Sequence, residues 1–208
     1  MQLKKIDVNL QKALIEAGFT QANKIQQETF STIKSGADTV VLSPEKSGKT
    51  ITAILNVIQK LKEPFQQSPR ALIIVPDKET ILHYAEIFQQ LAKYNKLRVF
   101  EVYDKTDIDE EKNMISLGID ILIGTPTKVN ALFAGAGFDV NRLQIIVFDN
   151  LEILMQNRYD VILNRLLESL NKGQKLFLLA NLTEKAELFI YKWTEEAIFF
   201  DFEEDPLD

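Results

Sequence analysis

A doubly wound α/β domain with a mainly parallel sheet is the fold class predicted by three observations. Short apolar runs alternate along the chain with longer segments of helical period. Most of the runs are continuously apolar rather than alternating, as in strands buried on both faces of a parallel sheet. Polar residues able to do chemistry collect just after the runs, at the strand carboxyl ends where ligands gather in such folds.

Two helices, Leu10–Ala17 and Lys24–Lys34, precede the first strand, Thr39–Ser43. A helix over Gly48–Lys62 follows, then a loop, Lys62–Pro69, marked by Pro64 and Pro69. Arg70–Val75 is the second strand and Lys78–Tyr94 the helix after it. Arg98–Tyr103 and Ile119–Gly124 are the next strands, and Thr127–Phe133 is a short helix. Gly135 and Gly137 mark a loop at Gly135–Asp139 before the strand Gln144–Asp149. Tyr159–Leu170 is helical, Lys175–Ala180 a strand, Thr183–Trp193 a helix and Ile198–Phe202 the last strand. Without a linker or internal repeat, residues 1–208 are expected to form one domain.

Composition narrows the chemistry. The chain has 46% hydrophobic and 26% charged residues, which suits a soluble globular protein. With no cysteine, disulfides and Cys-based zinc sites are excluded, and the single histidine, His83, argues against a His-rich metal site. The N-terminal MQLKKIDVNLQKAL lacks the apolar stretch of a signal peptide, and no run is long enough for a membrane span, so a cytoplasmic location without membrane contact is expected. A net charge of −6 argues against a strongly basic nucleic-acid face but leaves room for a local patch. Part of the acidic excess crowds the end, at Glu195, Glu196, Asp201, Glu203, Glu204, Asp205 and Asp208, and reads as a solvated segment. Trp193, Phe189 and Phe199 read as core rather than as a stacking platform, and His83 as a surface or half-buried residue.

The segment Val40–Thr50, VVLSPEKSGKT, carries the strongest chemical signal. Gly48-Lys49-Thr50 is the working end of a phosphate loop: backbone N–H groups meet a phosphate, a lysine neutralises it, and a hydroxyl reaches Mg²⁺. The pattern G-x-x-x-x-G-K-[ST] calls for glycine at position 43, where Ser43 stands. On this loop alone, nucleotide binding and a merely structural strand-to-helix turn remain open. Gln144–Asp149, QIIVFD, is an apolar strand ending in an aspartate, which in phosphate-loop proteins holds Mg²⁺ opposite the loop hydroxyl.

Further pieces follow in a telling order. Gly18-Phe19 and Ile25-Gln26 lie upstream of the loop; Pro76-Asp77-Lys78-Glu79-Thr80, Thr125-Pro126-Thr127-Lys128, Asp149-Asn150-Leu151-Glu152 and Leu179-Ala180-Asn181 lie downstream. Over nearly the whole chain this resembles the N-terminal RecA-like domain of DEAD-box RNA helicases, whose motifs there are G-F-x-x-P-T-x-I-Q, A-x-x-G-x-G-K-T, P-T-R-E-L, T-P-G-R, D-E-A-D and S-A-T. The resemblance implies a three-layer RecA-like fold. It also implies ATP or ADP held with Mg²⁺ by Gln26, Ser47, Gly48, Lys49 and Thr50, the metal resting on Thr50 and Asp149. RNA would meet Pro76, Lys78, Thr125, Pro126 and Lys128.

The departures have chemical content. Asn150 stands where the family has the carboxylate that activates water, and an amide cannot take that proton at neutral pH. Loss of a positioned base costs on the order of 10²–10⁴-fold in rate. Glu152 matches the last residue of D-E-A-D and is a second candidate for orienting water. Lys46 replaces a glycine valued for backbone freedom, and Glu45 adds negative charge beside a polyanion site. Leu179 has no polar group to couple the third motif to the carboxylates. Lys78 and Lys128 keep positive charge but lose the planar fork of arginine, and as solvated lysines they need no RNA. Asp77 replaces a threonine that meets the RNA backbone, and Asp104-Lys105 a Gly-Gly pair. These 208 residues hold no second RecA-like domain, so the chain is expected to be either a fragment or a subunit meeting such a domain in trans, the source of arginine fingers worth about 10³–10⁵ in rate.

Two readings follow: an RNA helicase homologue impaired in hydrolysis as an isolated domain, or an inactive relative serving as a protein- or nucleotide-binding module. An unrelated phosphate-loop NTPase or kinase fits Gln26 and the order of the later motifs less well.

Overall fold

The computed structural model describes residues 5–170 and 172–202. In chain order the elements are α1 (Val8–Glu16), α2 (Lys24–Ser35), β1 (Thr39–Leu42), α3 (Lys49–Leu61), β2 (Ala71–Ile74), α4 (Lys78–Leu91), β3 (Val99–Val102) and α5 (Ile108–Ser116). They continue with β4 (Ile121–Gly124), α6 (Pro126–Ala134), a 3-10 turn at Val140–Arg142, β5 (Ile145–Asp149), α7 (Leu151–Gln156), α8 (Asp160–Glu168), β6 (Gln174–Leu179), α9 (Glu184–Trp193) and β7 (Ile198–Asp201).

The strands form one sheet in the order β3-β4-β2-β5-β6-β1-β7, and every described pairing is parallel. Successive side chains of a strand face opposite layers. On β5, Ile145 and Val147 enter a core with α1 to α4, whereas Ile146 and Phe148 enter a second core with α5 to α9. The result is the three-layer α/β/α arrangement expected of strands apolar on both faces. Phe148, Phe177 and Phe189 anchor the second core, with Phe148 and Phe177 stacked at 5.2 Å between ring centroids.

Parallel pairing puts every strand's carboxyl end on one rim. Ser43, Val75, Thr125, Asp149 and Ala180, each at or just past the end of its strand, therefore share that rim. Ser43 extends the β1–β6 ladder by donating its N–H to Leu179 O at 3.0 Å. Away from the rim, buried Asp120 accepts from Arg70 and Arg98, both at 2.8 Å, and ties β2 and β3 to the start of β4.

Two expectations fail here. Phe199 is not core: it is 40% exposed on the outer strand β7, with Tyr191 at 6.1 Å between ring centroids. Lys128 is not a solvated lysine: it is 8% exposed and forms an ion pair with Glu111 at 3.0 Å. Two helices, α5 and α7, add to those the sequence indicated. The acidic residues Glu203, Glu204, Asp205 and Asp208 lie outside the described residues. Among the described residues no helix is long and apolar enough to cross a membrane.

Candidate functional site

β1 delivers the chain to a loop that turns into α3 at Gly48. Two residues there adopt left-handed backbone: Lys46 with φ +61° and Gly48 with φ +98°. At Gly48 glycine is required twice over, by that φ and because a Cβ would lie 2.5 Å from Asn23 Nδ2. Lys46 has no such exemption and bears left-handed strain, which costs roughly 1–2 kcal/mol for a residue with a β-carbon.

The loop is pinned from behind. Asn23 Nδ2 donates to Ser47 O at 2.8 Å, and the same Asn23 caps α2 in a reciprocal box with Gln26. Gln26 is 4% exposed and accepts from Asn23 N at 3.1 Å. Its side chain thus lies behind Gly48, whereas Ser47, Gly48, Lys49 and Thr50 line the cleft itself.

The cleft is about 430 Å³, bounded by residues 45–50, the start of α4 and the end of β5. α3 is 13 residues long, so its N-terminus offers unpaired N–H groups and a positive dipole end to an anion. Lys49 is 7% exposed and its ammonium donates to the carbonyls of Ser43 and, at 2.9 Å, of Pro44. Burial holds its pKa below the usual lysine range, against the opposing pull of Asp149, Glu152 and Glu45. The charge lining is mixed: Glu45, Asp77, Glu79 and Asp149 share the space with Lys46 and Lys49. His83 is exposed there, in keeping with a surface residue.

Asp149 ends β5 and is 3% exposed. Its Oδ1 accepts from Asn150 N at 2.9 Å and its Oδ2 from the Tyr84 hydroxyl at 2.8 Å. Burial raises its pKa, and those two donors and Lys49 counter the rise. Asn150 has φ +54°, a conformation that asparagine tolerates well, and this sharp turn starts α7. Asn150 lines the cleft beside Asp149. Glu152 points elsewhere: its Oε1 accepts from Ala180 N at 2.9 Å, and its Oε2 is buried without a protein partner.

Thr50 and Asp149 both reach the cleft and offer oxygen, the donor type that Mg²⁺ prefers. Among the described residues no group of three or more His, Cys, Asp or Glu side chains could hold a metal by itself. These residues therefore fit a cation whose shell is completed by phosphate oxygens and water.

The residues assigned to RNA lie along the same rim, outside the cleft. Lys78 is exposed, with its ammonium 4.3 Å from the centroid of the Tyr103 ring, and Asp77 caps α4 by accepting from Thr80 N at 2.8 Å. Thr125 and Pro126 begin α6, with Thr125 Oγ1 buried and unpartnered. Lys128 also donates to Thr106 O at 2.5 Å, so its charge is spent within the protein. Pro76 is half-buried.

Sequence reasoning overlooked two residues. Asn23 was readable as N-x-x-Q, a capping box ahead of α2. Tyr84 was not, because Ile81, Tyr84, Phe88 and Leu91 form an ordinary buried stripe on α4 and nothing in that spacing marks a polar tip.

Residues 23–189 match the family profile described as DEAD/DEAH box helicase. Among curated proteins, the chain is 26% identical over 176 residues to the ATP-dependent RNA helicase DHH1 of Scheffersomyces stipitis, covering 83% of this chain and 34% of that protein. It is 23% identical over 186 residues to the DEAD-box ATP-dependent RNA helicase CshC of Bacillus cereus, covering 89% of this chain and 48% of that one. A crystal structure of a hypothetical ATP-dependent RNA helicase from Sulfolobus tokodaii superposes with a TM-score of 0.83 at 19% identity, over 94% of this chain and 57% of that one. The chain thus spans about a third to a half of the length of these two curated relatives.

Proposed function

The chain belongs to the DEAD/DEAH box helicase family, and we propose that it is a RecA-like helicase domain that binds an adenine nucleotide with Mg²⁺ but hydrolyses it poorly by itself. One observation carries the reading. The phosphate-binding Lys49 and the metal-ligand pair Thr50 and Asp149 line one cleft, yet the residue that follows Asp149 there is an amide, Asn150.

Nucleotide phosphates would lie against the N-terminus of α3, where Lys49 exchanges the carbonyls of Ser43 and Pro44 for phosphate oxygens. Thr50 and Asp149 would hold Mg²⁺, which would supply charge neutralisation for the phosphates. Asn150 can hydrogen-bond a water near that phosphate but cannot accept its proton. Glu152 is an unsuitable replacement, because its Oε1 is committed to Ala180 N. Glu45, Asp77 and Glu79, which have no metal to bind, oppose the charge of a triphosphate and weaken its binding.

RNA contact is proposed to be weak. Of the two cationic side chains carried over from the family's arginines, Lys128 is neutralised by Glu111 and only Lys78 is exposed. A second RecA-like domain, joined or in trans, remains the expected source of further catalytic groups. The alternative, a binding module without turnover, rests on the same Asn150 and differs only in that no partner restores activity.

Phosphate release from Mg-ATP, measured with and without single-stranded RNA, tests the reading. The expected result is no RNA-stimulated turnover by this chain alone. Turnover that rises with RNA and disappears in Lys49→Ala contradicts it.

A further inference from the structure

β3 ends the sheet on one side, with β4 as its single neighbour among the described strands. Arg98 O accepts from Ile121 N at 3.1 Å, and Val102 O accepts from Thr125 N at 3.4 Å. Backbone groups alternate in direction along a strand, so Arg98, Phe100 and Val102 face β4. Val99 and Glu101 therefore turn their N–H and C=O groups toward the open edge. Side chains alternate as well. Val99 and Tyr103 pack against the core that holds α4, Phe100 and Val102 against the other, which puts Glu101 on the α4 face.

On that face a groove of about 610 Å³ lies between α4 and β3, walled in part by Phe88, Leu97 and Val99 and lined also by Glu101. The Glu101 carboxylate is half-buried and has neither an ion pair nor a hydrogen bond among the described residues. Burial alone raises its pKa, with no cation to counter the rise. Of the two lysines that line the groove, Lys93 is paired with Glu16 and Lys96 is exposed, while Glu86 adds a second carboxylate.

A charge turned inward on an edge strand resists pairing with an apolar strand, because covering the carboxylate without a counter-ion is costly. The same charge favours a strand that brings a cation. A second copy of the chain brings none: its β3 presents Val99, Glu101 and Tyr103 on this face, and each chain carries a net charge of −6. We propose that the β3 edge takes an extended segment of another protein as an added strand, with a lysine or arginine of that segment beside Glu101 and an apolar side chain two positions away beside Val99. Main-chain bonds at Val99 and Glu101 hold the segment, and the pairing of a basic with an apolar residue on one face selects it. The groove shares no lining residue with the nucleotide cleft and needs no nucleotide.

The test is selection of random phage-displayed dodecapeptides on the immobilised chain, followed by fluorescence-anisotropy titration of the enriched sequences as capped synthetic peptides. Enriched sequences are expected to carry Lys or Arg two positions from an apolar residue. They should bind Glu101→Gln at least about fivefold more weakly than the wild type, the equivalent of one partly exposed ion pair. Replacing the basic residue of the peptide by norleucine should give a similar loss on the wild type, which keeps the test independent of how the variant folds. Glu101→Lys should reverse the preference, taking the peptide whose basic residue is changed to Glu better than the original. N-methylation of alternate peptide amides should abolish binding in one phase and spare it in the other, as strand addition requires. Enrichment without a basic residue, equal affinity for wild type and Glu101→Gln, equal effects of the two methylation phases, or no enrichment at all overturns the proposal. A dimer in sedimentation that Glu101→Gln strengthens or weakens also overturns it, in favour of a second copy at this edge.

Discussion

Glu152 Oε1 accepts a hydrogen bond from the backbone N–H of Ala180 at 2.9 Å, joining the start of α7 to the residue after β6. The segment Leu179-Ala180-Asn181 has lost the hydroxyls that bond the carboxylates in the family it resembles. Here a main-chain donor, which no substitution other than proline removes, meets the side chain of Glu152. Glu152→Ala should therefore lower stability by about 1–3 kcal/mol in urea denaturation, as expected for a lost bond to a charged acceptor. Glu152→Gln keeps an acceptor oxygen and should lose less. Equal losses for both variants would show that the charge rather than the hydrogen bond matters.

Lys46, with φ +61°, occupies the loop position where the family has glycine. Lys46→Gly relieves left-handed strain of about 1–2 kcal/mol, partly offset by the greater freedom of glycine in the unfolded chain. A net gain of up to about 1 kcal/mol is expected from thermal or urea denaturation, while Lys46→Ala, which keeps the β-carbon, should give almost none.

Lys128 and Glu111 form a pair whose side chains are only 10% and 6% exposed. Removing one partner leaves a buried charge, so Glu111→Ala should destabilise by about 3–5 kcal/mol. Lys128→Met in the same protein should restore much of the loss, since replacing both charges is often close to neutral. A double-mutant cycle by chemical denaturation measures the coupling, and additive effects would show that the two side chains are independent.

Asp120 supplies a pH test. Burial, the largest influence, pushes its pKa up, but the Arg98 side chain and backbone, Phe65 N–H and Arg70 together bring it below the usual carboxylate value. A depressed folded pKa gives stability that is present above the unfolded value of about 3.9 and is lost as pH falls through the folded one. The wild type should therefore lose stability steeply below about pH 4, and Asp120→Asn should flatten that limb while being several kcal/mol less stable at pH 7. Parallel curves for the two proteins would remove Asp120 as the source.

The fold was legible wherever burial on both faces wrote continuous apolar runs, as in β2, β4 and β5, whose residues are all buried. α5 escaped because IDEEKNMIS presents little apolar period, and its start depends on Asp107 accepting from Asp109 N and Glu110 N. α7 escaped because six residues are too few for a period to register, and its start depends on the left-handed turn at Asn150. Lys49, Thr50 and Asp149 were grouped by the sequence because phosphate chemistry restricts residue type and spacing, and the fold brings all three to one cleft. Of the two readings open for Lys128, RNA contact or a solvated lysine, the second fails, and its partner Glu111 was hidden because it lies 17 positions earlier on a helix the pattern did not mark. The contact of Tyr84 with Asp149 spans 65 positions and left no local trace.

Nucleotide binding with impaired hydrolysis, as proposed, is decided by the chemical state of the bound nucleotide. The chain is incubated with radiolabelled Mg-ATP and single-stranded RNA, and the protein-bound nucleotide is then separated into ATP and ADP over time. The expected result is bound label that depends on Lys49 and remains triphosphate throughout. Accumulation of bound ADP at a rate that rises with RNA, or label equally bound by Lys49→Ala, would contradict the proposed function.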